Sequence, residues 1–426
     1  MLAAGREAPS GGFGPVPALP GTSTVERPEA GMPYYRQVGE IPRKRHTQFR
    51  QPDGSLHAEE LMGIEGFSSE SALLYHRGLP TAVVAAEAVD ERGRETAPNL
   101  PLRPRHFRTG ELAFPHGDPG SDAVTGRRLL FGNGDVSICF AVPDVTSPLY
   151  RNATGDELCY VQTGAARFET IYGALEVAEG DYVLLPASTT YRVVPRGERP
   201  PRLYLVEATG HIGPPKRYLS ARGQFLESSP YCERDLRGPT EPLLLEGEHV
   251  DVLVRHHDGL TRMTYEHHPF DVVGWDGCLY PWVFNIDDFE PITGRIHQPP
   301  PVHQTFEGPN FVVCSFCPRK VDYHPDSIPV PYNHANVDSD ELMFYVGGDY
   351  EARKGSGIGI GSLSLHPSGC THGPQPGAAE ASLGAERFDE TAVMIDTFRP
   401  LRLGEAATAT EDSSYYRSWV RGEPED

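Results

Sequence analysis

The sequence predicts an all-β protein built from two repeated β-barrels, and three observations carry that expectation. Hydrophobic residues make up 38% of the 426-residue chain beside 45 Gly and 41 Pro, a composition of many short elements broken by turns. No long stretch shows the 3.6-residue periodicity of an amphipathic helix. Two distant segments repeat one spaced frame of residues, and a chain of this length exceeds what a single core holds.

In chain order, residues 1–31 combine Gly, Pro, Ala and Ser with almost no large apolar side chain, so burial cannot repay the entropy of ordering and a disordered extension is expected. Aromatic density rises at Met32 in MPYYRQVGE, which marks the start of the folded protein and makes Met32 a second candidate initiator. Short β-branched or aromatic runs bounded by Gly or Pro predict strands at 136–142, 180–185, 201–206 and 311–316. Only 57–63 (HAEELMG) and 282–290 (WVFNIDDFE) read as weakly helical. The expected division is an N-terminal domain over 32–285, a C-terminal domain over 286–405 and an acidic tail over 406–426, with Tyr415, Tyr416 and Trp419 as an aromatic anchor in the tail.

Charge and cysteine usage narrow the class. Lys+Arg of 38 against Asp+Glu of 59 gives a net charge of −21, which repels phosphate backbones and anionic lipid, so neither nucleic acid nor membrane is an expected partner. The basic run Arg43-Lys44-Arg45 is too short to reverse this. Seven cysteines, an odd number without dense spacing, point to free thiols in a reducing compartment, hence the cytoplasm; the lone Cys314-x-x-Cys317 pair reads as structural. No apolar run reaches the length of a membrane span, and the N-terminus lacks a signal core.

The repeat is specific. His334-Ala335-Asn336 is followed after four residues by Glu341 and after six more by Gly348; Tyr150-Arg151-Asn152 is followed at identical spacing by Glu157 and Gly164. Asp156-Glu157-Leu158 stands where Asp340-Glu341-Leu342 stands. Downstream, Gly361, Pro367, Gly369 and His372 match Gly180, Pro186, Ser188 and Tyr191. These are the two motifs of the cupin superfamily, which this chain resembles, with Asn336 in place of one usual His. The resemblance implies jelly-roll barrels whose ligands point into the lumen.

In the first repeat both His positions are tyrosines, so that barrel is expected to keep its fold without a metal. In the second, His334, Glu341 and His372 leave two imidazoles and one carboxylate, the facial set of iron(II) enzymes that bind a substrate and O₂ at one centre. His366 competes as a ligand but reads better as strand continuation before Pro367.

The text also resembles the homogentisate 1,2-dioxygenase family from about Met32 to about residue 400, on MPYYRQVGE, GFSSESALLYHRGLPT at 66–81, HHPFDVVGWDGCLYPW at 267–282 and GGDYEARKGSG at 347–357. The resemblance implies Fe(II) held by His334, Glu341 and His372, with Tyr350 contacting the substrate and His372 beside the bound ring. It implies that His297 accepts a phenolic proton, with His303 as the rival across the Pro299-Pro300-Pro301 run. It further implies ring cleavage of homogentisate by O₂ to maleylacetoacetate, in tyrosine and phenylalanine catabolism, by a homo-oligomer of trimers paired into hexamers. The text departs from the family's commoner pattern between residues 286 and 308 and around Pro331–His334. A cupin dioxygenase for another hydroquinone, such as a gentisate-like acid, therefore stays open, as does a non-catalytic two-barrel binding protein.

Overall fold

The computed structural model describes residues 35–420, apart from 92 and 117–119. The expected disordered stretch 1–31 and the candidate initiator Met32 lie outside the described residues.

Strands form where the β-branched and aromatic runs predict them. Glu157–Thr163 pairs on one side with Asp181–Leu185 and on the other with Arg202–Ala208, which pairs with Val136–Ala141. These are the centre of a nine-stranded sheet, faced by a seven-stranded sheet that includes Ala165–Thr170, Thr190–Arg196, Leu149–Asn152 and Glu248–His256. Cys159 and Val161 point between the two sheets with Phe168, Val183 and Leu205, while Leu158 and Tyr160 point the other way into a larger core. That second face is buried because the other barrel packs on it: Phe344 lies 5.9 Å from Phe140 and 4.7 Å from Tyr204, ring to ring. A strand covered on both faces reads as a continuous apolar run, which is why ELCYVQT shows no alternation.

The second barrel is asymmetric. One wall is a seven-stranded sheet in the order Gln304–Gly308, Phe311–Phe316, Thr391–Thr397, Asp340–Gly347, Ser362–His366, Arg105–Arg108, Glu411–Asp412. Opposite it, among the described residues, stand only the two-residue ladder of Arg319–Lys320 with Arg387–Phe388 and an isolated bridge between His334 and His372. The barrel is therefore open on one face where its partner is closed.

The boundary expected at 285/286 is crossed in both directions. Arg105–Arg108 pairs with Ser362–His366 in the second barrel, and Arg402–Gly404 pairs with Arg128–Gly132 in the first. The tail expected from residue 406 is folded as far as the described residues run. Glu411–Asp412 pairs with Arg105–Arg108, Tyr415 is buried, and Trp419 Nε1 donates to Gly373 O at 3.1 Å. Two large aromatic rings in the wall outweigh an acidic local composition.

The weakly helical reading of 57–63 is corrected: Ala58–Gly63 is a strand paired with Ser71–His76 along all six residues. A helix that short is marginal alone, so the available ladder decides. Within 282–290, Trp282–Asn285 is a strand, and only Ile286–Asp288 forms a 3₁₀ turn, capped by Asn285 Oδ1 accepting from Asp287 N at 2.9 Å. The block Phe270–Cys278 builds an ancillary four-stranded sheet rather than the site. A Cβ on Gly274 would stand 2.2 Å from Glu40 O, and the buried Trp275 indole donates to Tyr172 O at 2.7 Å. All seven cysteines are free, and no described helix is long and apolar enough to cross a membrane.

Candidate metal centre

Three-dimensional pairing reproduces the sequence repeat residue by residue. Tyr150 pairs with Tyr191 where His334 bridges His372, the latter through His334 N donating to His372 O at 2.8 Å and His372 N donating to His334 O at 2.9 Å. Glu157 pairs with Leu185 and Glu207; Glu341 pairs with His366 and Asp396. The recurring Asp before each Glu has one task in both barrels. Asp156 accepts from Ala187 N at 2.7 Å and Ile212 N at 2.8 Å, and Asp340 accepts from Ser368 N at 2.9 Å and Leu401 N at 2.8 Å. Each carboxylate thereby ties the two motifs and the closing strand together.

His334, Glu341 and His372 converge, with one ligand atom from each lying within 4.8 Å of the others. His334 Nε2 is 3.6 Å from Glu341 Oε2, and His372 Nε2 is 3.4 Å from Oε1. Each imidazole turns its Nδ1 to a backbone carbonyl, His334 to Tyr332 O at 3.2 Å and His372 to Cys370 O at 3.1 Å. That contact fixes the tautomer and leaves Nε2 as the lone-pair donor, the arrangement of a metal-ligating histidine. His372 Nε2 is buried without a hydrogen-bond partner, so the donor set fits a divalent metal on this observation. Burial works to raise the Glu341 carboxyl, but its contacts with His334, His366 and His372 outweigh this and hold it well below the usual range.

His366 ends the strand Ser362–His366, as strand continuation requires, yet it also touches the centre. Its Nδ1 is 2.9 Å from Glu341 Oε1, its Nε2 3.1 Å from Tyr415 Oη, and its ring stacks on His372 at 4.1 Å. Burial lowers this imidazole to about 3, so it stays neutral and donates Nδ1–H to the carboxylate. It orients Glu341 from the side away from His334.

The first barrel holds a guanidinium in its lumen. Arg127 Nη1 donates to Glu157 Oε1 at 2.8 Å and to Glu207 Oε1 at 2.7 Å, while Nη2 donates to Tyr191 Oη at 2.7 Å. Tyr150 lies face-on, its centroid 5.1 Å from the guanidinium carbon. The glutamate kept from the metal motif thus has a permanent cation beside it.

A cavity of about 320 Å³ opens beside the centre, lined by His334 and Glu341 and by an apolar wall including Val302, Phe316, Val330, Met343 and Met394. Both histidine candidates line it. His303 is buried, packs its ring 4.4 Å from Phe316, and leaves Nδ1 without a partner. Burial lowers its imidazole to about 3. His297 is more exposed, with Nδ1 3.6 Å from Asp322 Oδ2 and its ring edge-on to Tyr332 at 5.2 Å.

Tyr350 does not line this cavity: its hydroxyl donates to Thr391 O at 3.3 Å and its ring packs on Tyr345 at 4.8 Å. The 3₁₀ turn Glu351–Arg353 presents Glu351, Ala352 and Arg353 instead, beside Tyr345 from the strand Asp340–Gly347. His372 is outside the wall as well, buried against Glu341 and His366. Arg353, Asp396 and Arg127 carried no sequence signal of their own, although the repeat frame, aligned on the closing strands, would have flagged Asp396 as the counterpart of Glu207.

Comparison with known proteins agrees with this architecture. The family description "Homogentisate 1,2-dioxygenase N-terminal" matches residues 97–286, and "Homogentisate 1,2-dioxygenase C-terminal" matches 292–423. A Saccharolobus solfataricus protein described only as a dioxygenase is 38% identical over 392 residues, covering 91% of this chain and 99% of its own. A homogentisate 1,2-dioxygenase of Emericella nidulans is 27% identical over 406 residues, covering 87% of this chain and 84% of its own. Among solved structures, a cupin 2 conserved barrel domain protein from Leptotrichia buccalis aligns with a TM-score of 0.29 at 10% identity, over 75% of this chain and 99% of that one. With both family descriptions matched across most of the chain, the protein belongs to the homogentisate 1,2-dioxygenase family.

Proposed function

We propose that the protein is an iron(II)-dependent dioxygenase that cleaves the ring of homogentisate to maleylacetoacetate. The observation that carries the reading is the His334–Glu341–His372 set at the edge of an apolar cavity of small-molecule size. Iron(II) bound by these three residues would supply the redox chemistry that lets triplet O₂ react with a spin-paired aromatic ring.

The chain's own part is binding, orientation and proton movement. The apolar wall excludes water and holds a flat ring against the open side of the metal ligands. A phenol must lose a proton to become electron-rich, and His303 Nδ1 supports that role better than His297. His303 is buried in the wall with an unpartnered Nδ1, whereas His297 faces Asp322. Tyr350 acts through Tyr345, positioning the wall from behind.

The divergent segment 286–308, which contributes His297, Val302 and His303 to the wall, favours a second reading in which another hydroquinone acid is the substrate. The discriminating experiment is anaerobic reconstitution with iron(II) followed by O₂ uptake on a panel of hydroquinone acids. Stoichiometric uptake with homogentisate, abolished in His334→Ala, supports the first reading. Uptake with gentisate and none with homogentisate overturns it.

A further inference from the structure

Arg353 is a buried cation with no carboxylate in ion-pair contact; Glu341 of the metal set is the acid whose field reaches it. Its Nη1 donates to Gly373 O, its Nε donates to Tyr345 Oη at 3.3 Å, and the Trp419 ring lies 6.0 Å from the guanidinium carbon. No carboxylate among the described residues forms an ion pair with it, and its Nη2 donates to none of them. The other guanidinium in the cavity wall, Arg319, is committed to Glu390 at 2.7 Å. Removing a guanidinium from water is costly unless an opposite charge compensates it. Two neutral oxygens and an aromatic face are in contact with it, Glu341 acts on it only from beyond ion-pair distance, and the unused Nη2 donor belongs to a residue of the cavity wall.

Arg353 shares this wall with His334 and Glu341, so one small ligand can meet the metal ligands with one end and the guanidinium with another. We propose that Arg353 is the carboxylate-recognising residue of the cavity, selecting aromatic acids over neutral phenols of the same shape through a charge-assisted hydrogen bond. The proposal rests on the reading of this cavity as the aromatic substrate site.

The test is binding rather than turnover, on the full-length metal-loaded protein under anaerobic conditions. The probes are 4-hydroxyphenylacetate and its uncharged isostere 4-hydroxyphenylacetamide, titrated calorimetrically. The wild type is expected to bind the acid roughly tenfold more tightly than the amide. Arg353→Gln keeps a donor for Gly373 O and is expected to bind both probes equally, at the wild-type affinity for the amide; Arg353→Lys, which restores a point charge, is expected to recover part of the preference. Equal binding of acid and amide by the wild type overturns the proposal, as does an undiminished preference in Arg353→Gln. Should Arg353→Gln misfold, the wild-type preference and the Arg353→Lys intermediate still decide the matter. An Arg353-dependent preference in a protein inert toward homogentisate sinks the substrate assignment and leaves this subsite standing. Homogentisate turnover with no acid preference does the reverse.

Discussion

Replacing Arg127 by Met isolates what holds the lumen of the first barrel, where Tyr150 and Tyr191 stand at the two histidine positions of the frame. The substitution keeps an unbranched apolar stem and removes the group that donates to Glu157, Glu207 and Tyr191 together. Glu157 keeps Asn152 Nδ2 at 3.1 Å and the Tyr191 hydroxyl, and Glu207 keeps Arg94, so the loss is partial for each acid. Breaking a buried ion pair from one side costs about 3–5 kcal/mol, because the remaining charge is left uncompensated. For a chain of this size that is a fall in Tm of about 3–6 °C, read by calorimetry at pH 7.

Two controls make the reasoning refutable. The double variant Arg127→Met with Glu157→Gln removes one of the stranded charges and is expected to be more stable than Arg127→Met alone, a non-additivity that only coupling between the two sites produces. The pH dependence has a definite sign. Burial works to raise Glu207, but Arg94 and Arg127 outweigh it and hold the carboxyl well below its usual range. A depressed carboxyl contributes stability above its ordinary pKa of about 4.3 and loses it as pH falls, so the gap between wild type and Arg127→Met is full above roughly pH 5 and narrows below pH 4. A variant within about 1 kcal/mol of wild type at pH 7, or a gap that widens on acidification, refutes the account.

Other substitutions are expected to behave as follows. His303→Asn should lower kcat by about 10²-fold or more with iron content unchanged, while His297→Asn lowers it by less than about tenfold; the reverse ranking in steady-state O₂ uptake returns the proton-accepting role to His297. Asp340→Ala strands Ser368 N and Leu401 N and should cost about 2–4 kcal/mol in chemical denaturation, since each buried amide left unpaired costs about 1–3 kcal/mol. His76 is buried, which works against its charge, but Asp271 at 2.6 Å and Glu60 at 3.0 Å raise it to about 9. A raised imidazole gives its full stabilisation below 6.5 and loses it as pH climbs through 9, so the stability gap between wild type and His76→Gln should shrink over that interval; a constant gap from pH 6 to 9.5 contradicts the ion pairing.

What the sequence reveals of this site depends on how its residues are brought together. His334, Glu341 and His372 are legible because they belong to two short motifs joined within one hairpin-like frame, where spacing along the chain sets spacing in the barrel. Arg353 reaches the same cavity from the 3₁₀ turn after the strand that carries Glu341, and no motif announces it; His303 is legible only as the rival of His297. The choice between His297 and His303 turns on which side of Pro299-Pro300-Pro301 faces inward, a matter of the 3₁₀ turn Pro300–His303 packing on Phe316. Tyr350 stands off the cavity wall for a related reason, because a one-turn 3₁₀ element decides which of its neighbours faces the wall. Strand positions were legible from β-branched runs, whereas Ala58–Gly63 was not: Ala, Glu, Leu and Met are good helix formers, and only the distant partner strand overrides them.

The two barrels answer one electrostatic problem in different ways. Each keeps a buried glutamate at the same place in the frame, Glu157 and Glu341, and a second acid on the adjoining strand, Glu207 and Asp396. Such a pair cannot stay ionised in a low-dielectric interior without a cation. In the first barrel the cation is covalent: Arg127 fills the lumen, Tyr150 and Tyr191 pack on it, and the full sheet closes over them. In the second, the histidines point inward, the sheet is reduced to a bridge and a two-residue ladder, and Asp396 is pushed up to about 8, chiefly by burial and then by Glu341. An exchangeable cation held by the His334–Glu341–His372 set would complete the second barrel's charge balance, and its binding would stabilise that barrel by mass action. Iron(II) or another divalent ion should therefore raise Tm in the wild type and leave Glu341→Gln nearly unmoved, while Arg127→Met, altered only in the sister barrel, keeps its metal-dependent increment.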